Sequence, residues 1–333
     1  MNRRSFLWRC LAGGGILWLG SRWGSDFWRQ GIRSIGEAGG KDAAYYRIVV
    51  MGDPHLPVRE REVKDIAKRE RIIAAKESVA EDINSWPDVG EIAVLGDIAA
   101  QFGVVEEYEY AKNFLGRFRK PVYLVTGNHD YMYQDEFSAE GKFVRGDAIS
   151  RQRKLERFRE LFGLNSLFYT HRAGNYQLFY MSPDSLASHH LTEISDAQLT
   201  WFQAELKKHA DIPAIIFFHA PLPHTLLSYN KTVNTPDFIV QPADRLRDII
   251  SENRRIVLWV SGHTHTPATN ESYALEQVNL YAGQVHNIHT PDMDREIIWT
   301  NSLYLYADKI ITRTFNHNSK QWMDNLDRIY LFS

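Results

Sequence analysis

Short apolar runs alternate with longer stretches of helical periodicity along most of this chain. The strand candidates are YRIVVMG (46–52), EIAVLG (91–96), PVYLVTG (121–127), YQLFYM (176–181), PAIIFF (213–218) and RIVLWV (255–260). Between them, segments at roughly 60–84, 104–118, 149–162, 195–209 and 242–253 are predicted to form amphipathic helices. The fourth opens SDAQLTWF, where Ser195 and Gln198 match a capping box that marks a helix start. Trp201, Phe202 and Leu206 follow at helical spacing as core contacts. In the charge-dense first helix, Ile66, Ile73 and Val79 are expected to turn inward. Alternation of this kind predicts β-α-β units and a largely buried sheet. After residue 265 the pattern changes to LEQVNLYAG, EIIWTNSLYLYA and KIITRTFNH, read as antiparallel strands completing a second sheet.

Composition narrows the class. With 333 residues, 44% apolar and nine tryptophans, the chain can bury a large core and is not disordered. Setting aside the four arginines of residues 1–25, a stretch without acids, leaves 35 basic against 41 acidic residues, a net −6. That balance, with no basic stripe, is a poor footprint for sequence-independent nucleic-acid binding. The single cysteine, Cys10, permits neither an intrachain disulfide nor a thiolate metal site.

The N-terminus, MNRRSFLWRCLAGGGILWLGSRWG, has a basic start and an apolar, Gly-rich run to about Gly20. This is the layout of an export signal, and NRRSFLW resembles the twin-arginine type. The resemblance implies the twin-arginine translocase as a partner and a place in the periplasm or on the outer face of the cytoplasmic membrane. Arg9 interrupts the apolar stretch and no A-x-A-like cleavage site follows, which leaves open a retained membrane anchor or a leader with no address. As an anchor it would be short against the ~20 residues of a spanning helix. The expected organisation is residues 1–24 as signal or anchor, 25–44 as a linker around GEAGGKD, and 45–333 as the body.

Five of the six strand candidates run directly into metal-competent residues. They give MGDPHL (Asp53, His55), LGDIAA (Asp97), TGNHDY (Asn128, His129, Asp130), FHAPLPH (His219, His224) and SGHTHTP (His263, His265). Loops at the carboxyl ends of parallel strands converge on one crevice, so residues distant in sequence can meet there. A glycine precedes the first candidate ligand in four of the motifs and is read as allowing a sharp turn off the strand. In an extended segment, side chains two apart point the same way, so His263 and His265 can face one centre. Carboxylate, amide oxygen and imidazole donors without thiolate suit Mn, Fe, Zn or Ni. Seven donors exceed what one ion needs but suit two ions sharing a carboxylate.

The order D-x-H, GD, GNHD, H, GHxH resembles the calcineurin-like metallophosphoesterases over residues 46 to about 285. The resemblance implies an α/β fold, a four-layer αββα sandwich of two mixed β-sheets flanked by helices, with a dinuclear centre at one edge. It implies Asp53, His55 and His265 on one metal, Asn128, His219 and His263 on the other, and Asp97 between them. His129 would contact phosphate and assist the leaving group as general acid, and Asp130 would orient its imidazole. The activity implied is hydrolysis of a small phosphomonoester or phosphodiester by a metal-bridging hydroxide. YMSPDS…ISDAQLTWFQAEL is similar to the cyclic-nucleotide-phosphodiesterase-like branch, with Phe202 in place of the usual Leu. GDIAA lacks the tyrosine of purple acid phosphatases and the Asp-Arg-Gly run of phosphoprotein phosphatases, and Ala100 stands where many relatives carry an acid.

Other readings remain beside this one: a non-catalytic, metal-stabilised envelope binding protein, or a lipid-pyrophosphate or phospholipid hydrolase of the same superfamily. His224 is either a substrate-side or a plain loop residue, and His286 and His289 read as surface positions sooner than as the edge of the site. Loops 131–150 and 221–241 are long enough to be functional and offer Tyr131, Tyr133, Arg145 and Lys231 to a substrate.

Overall fold

The computed structural model describes residues 45–331. The signal, anchor and linker expected over residues 1–44 lie outside them. The body opens with β1 (Tyr45–Met51), α1 (Ile66–Ser85), β2 (Val89–Leu95), α2 (Val105–Leu115) and β3 (Val122–Val125). It continues with α3 (Asn128–Tyr131), a hairpin of β4 (Tyr133–Phe137) and β5 (Phe143–Arg145), and α4 (Ala148–Leu161). Then come β6 (Tyr169–Ala173), β7 (Tyr176–Tyr180), α5 (Asp196–Lys208), β8 (Ala214–Phe217), α6 (Ala243–Glu252) and β9 (Ile256–Ser261). The C-terminal part adds α7 (Glu276–Asn279), β10 (Leu280–Tyr281), β11 (Val285–His289), β12 (Trp299–Tyr306), β13 (Lys309–Asn316), β14 (Gln321–Trp322) and β15 (Arg328–Leu331).

Two mixed sheets result. The first runs β14-β13-β12-β1-β2-β3, with β15 also on β13, and the second β10-β11-β9-β8-β7-β6. β1, β2 and β3 are mutually parallel, as are β7, β8, β9 and β11. Both sheets turn one face into a shared core: Ile48, Val50, Ala93 and Leu95 from the first meet Leu178, Tyr180, Ile215, Phe217, Leu258 and Val260 from the second. These residues recur at every second position, as the pleat requires. The alternate residues of the second sheet, Phe179, Ile216, Phe218 and Trp259, pack with Leu199, Phe202 and Leu206 of α5 and Leu246, Ile249 and Ile250 of α6. Val49, Met51, Ile92 and Val94 of the first sheet are equally buried on its other face, and α1 and α2 bury Ile72, Val79, Ile83, Tyr108 and Phe114. Helices therefore flank both sheets.

Three expectations are corrected. The strands EIIWTNSLYLYA and KIITRTFNH, as β12 and β13, extend the first sheet, because β12 pairs antiparallel with β1; LEQVNLYAG begins with the short helix α7, and only its Leu280–Tyr281 part, β10, is an antiparallel strand of the second sheet. Of the residues expected inward on α1, Val79 is buried but Ile66 is half exposed, and the buried stripe instead includes Lys76. At α5 only half of the capping box forms. Ser195 Oγ accepts from Gln198 N at 3.2 Å, but the Gln198 amide turns to Ser182, and Asp184 accepts from Ser195 N at 2.7 Å. No helix among the described residues is long and apolar enough to cross a membrane.

Candidate metal centre

Each of the five motifs begins within three residues of a strand end. β1, β2 and β3 deliver Asp53 and His55, Asp97, and Asn128 from one sheet; β8 and β9 deliver His219, and His263 and His265, from the other. The loops are tied across the gap by main-chain bonds. His55 N donates to Asp97 O at 2.9 Å and Gly262 N to His219 O at 2.8 Å. Between sheets, His263 N donates to both Asp53 oxygens at 3.0 and 2.9 Å.

Asp53, His55, Asp97 and His265 bring one donor atom each within 4.8 Å of one another, and Asp97, His219 and His263 form a second group within the same limit. Asp97 belongs to both. Asn128 joins the second group, its Oδ1 3.1 Å from His219 Nε2. All seven side chains are buried except His265, which is partly exposed.

Backbone conformation makes the convergence possible. Asp53, His55, Asp97, His263 and His265 all have positive φ, from 43° to 65°, a left-handed region that residues other than glycine seldom occupy. Such residues typically cost 1–3 kcal/mol each and cluster at functional sites. His263 and His265 therefore do not lie in an extended segment; two left-handed residues around Thr264 bring both rings to the centre. The glycines need a different explanation from the one their position suggests. Only Gly96 of the four has positive φ, 83°. At Gly262 a Cβ would collide with Asp53 Oδ2, and at Gly127 with Asp97 Oδ1 and, at 2.8 Å, with His219 Cε1. These two glycines make room for the carboxylates.

Three of the four histidines donate their second nitrogen to a main-chain carbonyl. His55 Nδ1 meets Ala100 O at 3.2 Å and His219 Nδ1 meets Leu95 O at 2.7 Å, so each presents Nε2 inward. His263 Nε2 meets Asp237 O at 2.8 Å, so it presents Nδ1. Such partners fix tautomer and ring orientation. At position 100 the orienting group is the carbonyl, which the alanine side chain does not alter.

Electrostatics favour the same state. Burial drives the His55 pKa well below its ordinary value, and nearby Arg59 adds to the effect. Burial and then His219 take His263 down to about 3. Asp97 is raised by burial, but His219, His129 and His263 outweigh that and hold it below the usual carboxylate range. His265 alone goes up: burial opposes it, and Asp292 and Asp53 prevail. A neutral His55 and His263 beside an ionised Asp97 are in the form that binds metal, whereas His265 has to give up a proton to do so. Two carboxylates, an amide oxygen and four imidazoles suit borderline or harder ions, and the shared Asp97 makes the donor set fit two.

Comparison with known sequences agrees with this geometry. Residues 46–267, most of the chain, match the model of the calcineurin-like phosphoesterases. The chain belongs to that family. A curated relative, the uncharacterized protein YvnB of Bacillus subtilis (strain 168), is 26% identical over 176 residues, which cover 51% of this chain but only 12% of that protein. Among solved structures, a dimetal phosphatase from Danio rerio superposes with a TM-score of 0.55 at 13% identity, covering 86% of this chain and 99% of its own. The purple acid phosphatase PPD1 from yellow lupin (Lupinus luteus) seeds gives 0.55 at 11% identity, over 85% of this chain and 53% of its own. At such identities the two structures show the shared fold.

The family's GNHD motif is arranged differently from the expectation. His129 Nδ1 meets Gln101 O at 2.9 Å, not Asp130. The Asp130 carboxylate accepts from Gly127 N at 2.7 Å, Ala99 N at 2.9 Å and Ile98 N at 3.3 Å, and Tyr108 donates to its carbonyl at 2.8 Å. With three amides to satisfy, it staples the loop after β2 to the start of α3 and cannot orient the imidazole. Burial, then Asp97, push its pKa up to about 7. The loop that carries Gln101 is fixed in turn by Glu107, whose carboxylate accepts from Gln101 N, Phe102 N and Gly103 N at 2.8–3.0 Å.

His224 is exposed. His289 is not at the surface: it is buried, with Nε2 2.8 Å from Thr225 O. His286 is partly exposed and lies against Tyr330. Of the loop residues offered to a substrate, Tyr133 comes nearest, its hydroxyl accepting from Asn128 Nδ2 at 3.3 Å; Tyr131 is fully buried and Lys231 exposed.

A charged group beneath the centre escaped the sequence reading. Lys76 Nζ donates to His55 O at 3.0 Å, to Pro57 O at 2.9 Å and to Asp294 Oδ1 at 2.7 Å. Arg59 Nε also reaches Asp294, at 2.9 Å. Arg295 joins Asp292 to the carbonyl of His265, at 2.5 and 2.7 Å. The acid-rich PDMDRE run after the GQVHNIHT strand is the one sequence signal for it.

Proposed function

We propose that this chain is a dinuclear metal-dependent phosphoester hydrolase. The observation that supports it above others is Asp97, buried and common to both donor groups. In this reading Asp53, His55 and His265 hold one ion, Asn128, His219 and His263 the other, and Asp97 both. When bound, such a pair polarises the phosphoryl oxygens and lowers the pKa of a water. The chain's own groups do the rest. Asp97 Oδ1 also accepts from His129 N at 2.8 Å, which sets that residue beside the centre. With Nδ1–H committed to Gln101 O, His129 turns Nε2 to the phosphoryl oxygen or the leaving group, and it serves as the acid only as the imidazolium, a form that burial opposes and Asp97 favours.

The substrate is a small phosphomonoester or phosphodiester, and the SPDS…ISDAQLTWF similarity to the cyclic-nucleotide branch favours the diester. Export through the twin-arginine translocase to the outer side of the cytoplasmic membrane completes the proposal, on the strength of NRRSFLW. Fractionation of the full chain carrying Arg3→Lys and Arg4→Lys tests that part: unchanged distribution rules it out. For the activity, protein loaded with Mn²⁺, Fe²⁺, Ni²⁺ or Zn²⁺ is assayed on nitrophenyl phosphate and bis-nitrophenyl phosphate. Hydrolysis is expected and is lost in Asp97→Ala and His219→Ala. Inactivity of the wild type with all four metals refutes the proposal.

A further inference from the structure

The two long loops beside the centre are joined by charge. Arg145, at the end of β5, places its guanidinium 3.0 Å from Asp237 Oδ2, both side chains 38% exposed. His190 approaches the other Asp237 oxygen at 3.6 Å, and Arg145 also donates to His189 O. Asp237 is the residue whose main-chain carbonyl holds His263 Nε2, and the next residue, Phe238, stacks on the His263 ring at 4.9 Å and 24°. The carboxylate thus ties one loop to the other, while the carbonyl of the same residue orients a candidate ligand.

We propose that Arg145 and the Asp237 carboxylate form a positioning pair that holds the 221–241 loop on His263 and so preserves one of the two metal sites. The inference rests on the dinuclear reading above. Neither side chain reaches the donor atoms; both act through the Asp237 carbonyl and the Phe238 ring. Loss of either charge frees the loop, lets the imidazole turn, and weakens the site of His219, Asn128 and His263. The site of Asp53, His55 and His265 has supports outside this loop, Ala100 O on the His55 ring, Lys76 on the His55 carbonyl and Arg295 on the His265 carbonyl, and keeps its ion.

The test is a double-mutant cycle on the full chain: Arg145→Ala, Asp237→Ala, and both. Asp237→Ala keeps the carbonyl, so any effect it has is positional. Mn²⁺ binding is followed by calorimetry and by the spin-coupled electron paramagnetic signal of a Mn²⁺ pair, with the melting of metal-free protein as the control. In the wild type two ions are expected; a wild type that binds no pair refutes the dinuclear reading, and this proposal with it. Given a pair, each single variant should weaken one ion by about 10–100-fold, replace the coupled signal by that of isolated Mn²⁺, and leave the other ion and the metal-free melting unchanged. The double variant should be no worse than either single one, and Arg145→Lys should recover part of the loss. Unchanged binding, equal weakening of both ions, or additive effects in the double variant overturn the positioning pair while leaving the dinuclear reading standing.

Discussion

Replacing Lys76 by methionine removes a cation that is 1% exposed and keeps most of the volume of its stem. The ammonium donates to two carbonyls and one carboxylate, all within 3.0 Å. Burial lowers the Lys76 pKa even with Asp294 beside it, whereas Asp294, also served by Arg59, lies below the usual carboxylate range although burial opposes this. The carboxylate is thus well compensated and the ammonium poorly so. Breaking a buried pair by removing one partner costs about 3–5 kcal/mol when the other charge is stranded. Here Asp294 keeps Arg59, so the ionic part falls short of that range. The two orphaned carbonyls of His55 and Pro57 contribute about 1–3 kcal/mol each. The two carbonyls alone amount to about 2–6 kcal/mol, so a net loss of about 3 kcal/mol or more follows, read as a lower urea midpoint with an unchanged slope for metal-free protein. Freeing the His55 carbonyl should also weaken metal binding on that side. A loss below ~1 kcal/mol with unaltered metal affinity would refute the account, since it would mean the carbonyls find other partners.

Two further predictions follow from packing and from protonation. Gly262→Ala puts a methyl group against Asp53 Oδ2; it should cost about 1–3 kcal/mol and abolish binding of one metal without altering a ligand, and full occupancy of both sites by metal analysis would show that the loops can part. His289, at about 3 because burial outweighs the Thr225 carbonyl, is neutral in the folded protein when the unfolded chain, near 6.5, is already protonated. The unfolded state then binds more protons, so stability is present above 6.5 and falls with pH by about 1.4 kcal/mol per unit below it. Urea titrations of metal-free protein at pH 7, 6 and 5 should show His289→Gln falling less steeply than wild type; parallel slopes contradict a neutral, buried His289.

What could be read from the sequence and what could not differ in kind. A strand that ends in Gly-Asp or Gly-His carries its chemistry in side-chain identity, and the structure brings Asp53, His55, Asp97, Asn128, His219, His263 and His265 together. Main-chain carbonyls aim three of those side chains, His219, His55 and His263, through Leu95, Ala100 and Asp237, and Gln101 does the same for His129. Every residue type supplies a carbonyl, so no motif can announce one. The same blindness explains Asp130, whose place after His129 suggests a partner for the ring, while three nearby amides decide its use. It also explains β12 and β13: their alternation shows that they are strands, but sheet membership depends on which edge is open, and β1 offers one. Lys76 shows the limit from the other side. A lysine in a charged helix reads as solvated, and only the approach of Asp294, more than two hundred residues away, makes its burial tolerable. Each candidate ligand is therefore announced by its own short motif, whereas the contacts that aim it, and that hold five of the seven in left-handed backbone, come from elsewhere in the chain. Substitutions at Arg145, Lys76 or Gly262 probe those forces without touching a ligand, which makes them the sharper test of how this centre is built.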